Sequence, residues 1–255
     1  MRLRNLFLVA GAICVAQHTY CQEGDPKATE IWDPVPKVVI PGVGNAAPSD
    51  AIVLFDGKDL KEWVSVKDTN AAAKWTVADG AFTVNKGTGN IQTKRAFMDY
   101  QLHLEWKIPA VINGSGQGRG NSGLFLSSVG AGDEGYEIQI LDCYNNKTYV
   151  NGQTGSIYKQ AIPLANACKK PGEWQTYDVI WTAPRFKAGG ELETAGRVTV
   201  IHNGVLLQNN TEVKGITMYI GKPYYKKHGP TAIKLQDHGD KSEPISFRNI
   251  WIREL

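Results

Sequence analysis

The chain has 255 residues, with 28 Lys and Arg against 25 Asp and Glu, 42% hydrophobic residues and 27 glycines. That length can bury a sizeable core, and the composition excludes wholesale disorder. The formal charge of +3 falls to +1 without Arg2 and Arg4, and no basic run remains, which excludes a nucleic-acid-binding surface.

Met1-Arg2-Leu3-Arg4 followed by the apolar stretch Leu6 to Ala16 reads as a signal peptide over residues 1–21. The stretch is too short to span a bilayer, and no other apolar run approaches membrane-helix length, so no transmembrane segment is expected. Cleavage after Ala16 and after Cys21 both remain open. The expected location is secreted or periplasmic. Lipid anchoring at Cys14 or Cys21 is the lesser alternative, because Ala12-Ile13 and Thr19-Tyr20 are poor lead-ins for it. Export favours an oxidising compartment, where Cys143 and Cys168 are expected to form a disulfide. Closing a loop of about 25 residues, it would contribute ~3 kcal/mol; two free buried thiols are the alternative.

Residues 22–50 carry Asp33-Pro34-Val35-Pro36 and Pro41-Gly42, a composition that resists helix and predicts an extended arm over the surface. Trp32 and the Val38-Val39-Ile40 run are expected to pin it. From residue 51 to 255 the pattern is strands and turns. Trp75-Thr76-Val77 and Ala81-Phe82-Thr83-Val84 flank Asp79-Gly80, and Val198 to Ile201 turns at Asn203-Gly204 into Val205 to Leu207, both strong hairpin cues. Tyr100, Leu102, Leu104 and Trp106 alternate with Gln101, His103, Glu105 and Lys107. About ten short strands and no amphipathic helix predict an all-β, antiparallel sandwich.

The chemistry concentrates in Tyr136-Glu137-Ile138-Gln139-Ile140-Leu141-Asp142. Strand parity puts Glu137 and Gln139 on one face and Ile138 and Ile140 on the other. A β-bulge at Leu141 would return Asp142 to the Glu137 face; otherwise Asp142 caps a turn before Tyr144-Asn145-Asn146. Polar groups aligned on a sheet face cost too much to serve a core, whereas carboxyls move protons in sugar chemistry. The spacing Glu-x-Gln-x-x-Asp resembles the Glu-x-Asp-x-x-Glu strand of concanavalin A-like β-glucanases, with Gln139 and Asp142 in place of the middle and last carboxylates. In Leu235-Gln236-Asp237-His238-Gly239, Gln236 and His238 share a face with Lys234, and His238 can act as a base or a metal ligand. Further candidates for binding substrate are Asn121, Lys94, Glu105 and Tyr158, and Trp63 or Trp106 for stacking on a sugar ring. A passive, lectin-like groove built from Glu105, Asn121 and aromatics is the rival reading.

Taken in order, Val53-Leu54-Phe55-Asp56-Gly57-Lys58-Asp59-Leu60 with Trp63, Thr93-Lys94 with Phe97, Asp99 to Trp106, Gly120-Asn121-Ser122-Gly123, Tyr136 to Asp142, Pro171-Gly172-Glu173-Trp174, Leu235 to Gly239 and Phe247 to Ile252 resemble the 3-keto-disaccharide hydrolase domain family. The resemblance implies a concanavalin A-like jelly-roll sandwich over residues 51–255 that acts on 3-keto-glycosides. The 3-ketone acidifies the C2 proton; a base removes it and the aglycone leaves C1 by β-elimination, with or without later hydration. On that reading Glu137 or His238 is the base, and Asp142 or the other of that pair is the acid. Gln139, Gln236, Asn121 and Lys94 hold hydroxyls or the oxyanion. A divalent metal as Lewis acid is compatible with the resemblance, with His238 and Glu137 as its ligands. The expected partner is the carbohydrate substrate, and oligomeric state is left open.

Overall fold

The computed structural model describes residues 24–239, 241 and 244–255. The signal-peptide expectation for residues 1–21, with Cys14 and Cys21, lies outside them. The chain divides into two units, Met1–Val38 and Val39–Leu255. In the described part of the first, the Asp25 carboxylate accepts from Lys27 N and caps a 3-10 turn over Pro26–Thr29. Ile31, Trp32, Val35 and Val38 are all exposed, so Trp32 and Val38 do not bury themselves as pins.

In the second unit, residues 40–49 close a loop through Ser49 N to Ile40 O and Ile40 N to Ser49 Oγ. Its anchors are polar: Asn45 O accepts from Asn249 Nδ2 and Trp251 Nε1, and Asp50 pairs with Arg253 at 2.7 Å. Apolar pinning was the expectation; short polar side chains and a backbone carbonyl hold the segment instead.

Fifteen strands follow among the described residues: β1 (Ile52–Phe55), β2 (Trp63–Ser65), β3 (Thr76–Ala78), β4 (Ala81–Thr83), β5 (Ile91–Thr93), β6 (Tyr100–Lys107), β7 (Ser122–Ser128), β8 (Gly135–Ile140), β9 (Trp174–Thr182), β10 (Arg185–Phe186), β11 (Leu192–Thr194), β12 (Arg197–His202), β13 (Val205–Glu212), β14 (Lys234–Leu235) and β15 (Ser246–Glu254). The larger sheet runs β13-β12-β9-β6-β15-β4-β3, with β1 also on β15; the smaller runs β2-β5-β14-β7-β8; β10 and β11 form a separate ribbon. The fold is an all-β, antiparallel jelly-roll sandwich. Asp79-Gly80 and Asn203-Gly204 make their two hairpins with all four φ values between 51° and 81°, the left-handed pair that type I′ turns require.

One apolar core takes Tyr100, Leu102, Leu104 and Trp106 from β6 and Tyr136, Ile138 and Ile140 from β8. Trp63 and Trp106 are buried in this same core, so neither reaches a sugar. Because alternate residues of β8 fill the core, Glu137 and Gln139 must face away from it. The smaller sheet therefore presents its outer face to the chemistry.

Candidate active site

Strand β8 and five connecting segments assemble a hollow of about 180 Å³ on that outer face. Its walls are Asn121, Asp133, Glu137, Gln139, Tyr158, Thr217, Tyr219, Gln236 and His238. Six of these residues were candidates in the sequence as substrate or catalytic groups: Glu137, His238, Gln139, Gln236, Asn121 and Tyr158. Thr217 and Tyr219 come from a loop distant in sequence and Asp133 from the hairpin just before β8, and none of them carries a motif.

Glu137 sits at the centre of β8, opposite Phe125 of β7. Its backbone is held on both sides: Glu137 N donates to Thr217 Oγ1 at 3.1 Å, and Glu137 O accepts from Tyr158 N at 3.1 Å. Gly155 N to Gln139 O and Gln139 N to Ser156 O, both 3.0 Å, lay residues 154–158 along the free edge of β8 and carry Tyr158 to the hollow. A Cβ at position 123 would stand 2.6 Å from Glu137 Oε1 and displace the carboxyl. The carboxyl lies in the space that the missing methyl leaves.

No described residue hydrogen-bonds the Glu137 carboxyl, which is 6% exposed. Burial first, then the neighbouring Asp133 charge, push its pKa from 4.5 to about 8, against the pull of Lys234. Lys234 is fully buried beneath the hairpin joining β7 to β8, where its Nζ donates to Gly132 O at 2.7 Å and Glu134 O at 2.8 Å. Its own pKa is pushed down to about 8, chiefly by burial. At neutral pH Glu137 is thus predominantly a neutral acid, with a proton to give.

Amides surround it. Gln139 Nε2 donates to Gln117 Oε1 at 2.9 Å, Gln117 Nε2 donates to Thr148 Oγ1 and Gly152 O, and Asn121 Nδ2 donates to Gln117 O at 2.8 Å. Gln117 is the hub of this network, and nothing in its local sequence advertises it. Gln139 Oε1 and Gln236 Oε1 are buried acceptors without a partner among the described residues, which suits them to a ligand's hydroxyl donors. Gln236 N bonds to Gly123 O, and Ser122 Oγ to Gln236 O, so β14 is stitched to β7 just above the hollow. The next residue, Asp237, accepts from Gly87 N and Gly89 N and donates its own N–H to Asn90 Oδ1. That anchor fixes where His238 stands. Tyr158 Oη lies 2.5 Å from Tyr149 Oη, and burial holds the Tyr158 phenol protonated.

Three expectations fail on position. Asp142 does not line the hollow: β8 ends at Ile140, and the bulge falls in β7, where Phe125 to Ser128 oppose Glu137 to Gly135. Asp142 N instead bonds to Gly120 O, its Oδ1 accepts from Tyr144 N, and Oδ2 stands 2.6 Å from Arg119 Nε. That N–H is aimed off the line to the oxygen, so the contact is an ion pair rather than a hydrogen bond. Asp142 caps its turn. Glu105 lies on the outer face of the other sheet, bound by Arg248, Asn249 and Asn45. Lys94 is exposed at the end of β5, beside Thr69 and Pro230 rather than near Glu137. Cys143 and Cys168 are bonded, with Cα atoms 5.8 Å apart, just after the strand that carries Glu137.

The described residues alone offer a divalent metal too few ligands. Among the described residues no three His, Cys, Asp or Glu side chains cluster, so His238 and Glu137 would stand without a third such ligand.

A crystal structure described as a candidate glycosyl hydrolase from Parabacteroides distasonis ATCC 8503 is 60% identical, covers 91% of this chain and 97% of its own, and superposes with a TM-score of 0.84. A second from the same organism, at 23% identity, covers 81% and 94% with a TM-score of 0.58 and shares the fold. Sandwich, hollow and 60%-identical relative together define a carbohydrate-acting enzyme. The family model of the 3-keto-alpha-glucoside-1,2-lyase-like domain matches residues 50–253, and the chain belongs to that family. No curated protein matches it. Among the described residues no helix is long and apolar enough to cross a membrane.

Proposed function

We propose that the protein cleaves 3-keto-glycosides by elimination across C1 and C2, with Glu137 and His238 dividing the proton transfers. The observation that carries this reading is the buried Glu137 carboxyl, hydrogen-bonded by no described residue, in one hollow with an imidazole; burial raises its pKa and favours the protonated form. His238 takes the C2 proton, which the neighbouring 3-ketone has made acidic. The C1–O bond breaks as the C1=C2 bond forms, and Glu137 delivers its proton to the departing aglycone oxygen. Charge that builds on the ketone oxygen meets the Tyr158 phenol, which is free to donate when Tyr149 donates to it. Gln139 and Gln236 accept from the remaining hydroxyls. Water adding across C1=C2 converts the same sequence into net hydrolysis. A glucanase-type displacement, which pairs one carboxylate with a second, protonated carboxyl at the Asp142 position, has less support, because Asp142 is occupied by Arg119 and Tyr144. The apolar leader and the bonded pair Cys143–Cys168 support export to an oxidising compartment.

The test is turnover of a 3-keto-glucoside carrying deuterium at C2, by wild type and by Glu137→Gln. Elimination predicts a rate slowed by the deuterium, an unsaturated or hydrated 3-keto sugar, and severe loss in the variant. Sugar binding without product, equal in both proteins, would leave a lectin instead.

A further inference from the structure

The hollow is smaller than the several-hundred Å³ pockets that enclose larger ligands, so it takes one sugar ring and leaves the aglycone at its mouth. Two tyrosines stand there. Tyr219, 71% exposed, lines the hollow, and Tyr149, 40% exposed, reaches the buried Tyr158 through its hydroxyl. An aromatic ring held at the surface gives little to a core, yet this one is held. Lys159 Nζ donates to Tyr219 O at 2.6 Å, and its ammonium lies 4.1 Å from the centre of the Tyr219 ring and 5.5 Å from that of Tyr149. To reach them Lys159 takes a φ of 58°, a left-handed conformation that non-glycine residues rarely adopt, tied down by its N–H to Asn151 O at 2.7 Å. With the ammonium against one face of the Tyr219 ring, the exposed face is the other.

We infer that Tyr219 and Tyr149, fixed by Lys159, form an aglycone subsite that selects leaving groups with a flat ring face, either a second sugar or an aromatic ring. The C–H face of a sugar or the π face of an aryl group stacks on such a ring, whereas a methyl aglycone has nothing to place there. The subsite is an extension of the elimination reading and rests on it for the identity of the ring in the hollow.

Phenyl, glucosyl and methyl 3-keto-glucosides, compared in wild type, Tyr219→Ala and Tyr219→Phe, test it. In Tyr219→Ala the kcat/KM of the phenyl and glucosyl substrates relative to methyl should fall roughly tenfold, mainly through KM, while Tyr219→Phe keeps the wild-type ratio. A fall confined to one of the two ring substrates assigns the platform to that ring. An unchanged ratio in Tyr219→Ala overturns the subsite. Calorimetric binding of phenyl and methyl glucosides separates it from the chemistry. If no 3-keto-glycoside is turned over by wild type, the elimination reading fails, yet a preference for the phenyl compound that Tyr219→Ala loses still sustains the platform. Equal binding of both by wild type refutes it.

Discussion

Glu105 and Glu137 lie on opposite outer faces of the sandwich and are almost equally hidden, at 5% and 6% exposure. Burial pushes both pKa values up, but their neighbours then part them. Around Glu105, hydrogen bonds from Asn249, Arg248 and Asn45 and the Arg248 charge outweigh the burial and leave its pKa below the usual value. Around Glu137 no described residue makes such a bond, Asp133 adds repulsion, and the pKa climbs to about 8. The first carboxylate is spent on holding the loop 40–49 and β15 together. The second is left with unused chemistry, which stability alone would not retain.

The sharpest way to break this contrast is to neutralise each acid. Glu137→Gln should fold normally and lose a factor of about 10²–10⁴ in kcat/KM on a 3-keto-glucoside, the range of a lost proton-transfer group. In the wild type the same rate should fall as pH rises above about 8, where Glu137 loses the proton it must deliver. Glu105→Ala should do the reverse, costing about 2–4 kcal/mol in denaturant unfolding because Arg248 and Asn249 lose their partner, with activity per folded molecule retained.

Stability against pH sharpens it further. Between pH 4.5 and about 8, folded Glu137 keeps a proton that the unfolded chain has released, so its contribution to stability falls as pH rises through that window. Glu137→Gln lacks this loss. The variant should therefore gain on wild type from pH 5 to pH 8, by on the order of 1–3 kcal/mol, with the lost attraction to Lys234 offsetting part of it. Chemical denaturation at several pH values reads the difference. Asp142→Asn should cost about 1–2 kcal/mol through the loss of its Arg119 pair, since Asn keeps the oxygen that caps the turn, and leave the alkaline limb of the rate profile in place. The smallest effect belongs to Lys94→Ala, whose kcat/KM should stay within about twofold of wild type, as usual for an exposed side chain outside the site.

Much of the frame was legible from local pattern. The alternation in β6 and the Asp79-Gly80 and Asn203-Gly204 turns are properties of a few adjacent residues, and parity alone placed Glu137 and Gln139 together. What escaped depended on distant chain. Whether Glu105 faces a sugar or a lock is decided by Asn45 and Asn249, and its own strand says nothing of them. Asp142 hung on the strand lasting two residues longer than it does; Gly120 takes the backbone bond of Asp142 and ends the parity. Thr217 and Tyr219 arrive on a loop whose meeting with β8 is a tertiary event, and Gln117 reaches the hollow through Gln139 and Asn121. Trp32 misled because an apolar residue in a polar arm suggested burial, whereas hydrogen bonds to Asn45 and Asp50 hold the segment that follows.

The most direct measurement is a carbon-13 NMR titration of the Glu137 side-chain carboxyl, assigned by its absence in Glu137→Gln. The account predicts a midpoint near 8 with Glu105 titrating below the ordinary glutamate range. A Glu137 midpoint near 4.5 would mean an ionised carboxylate at neutral pH and contradict its role as the acid.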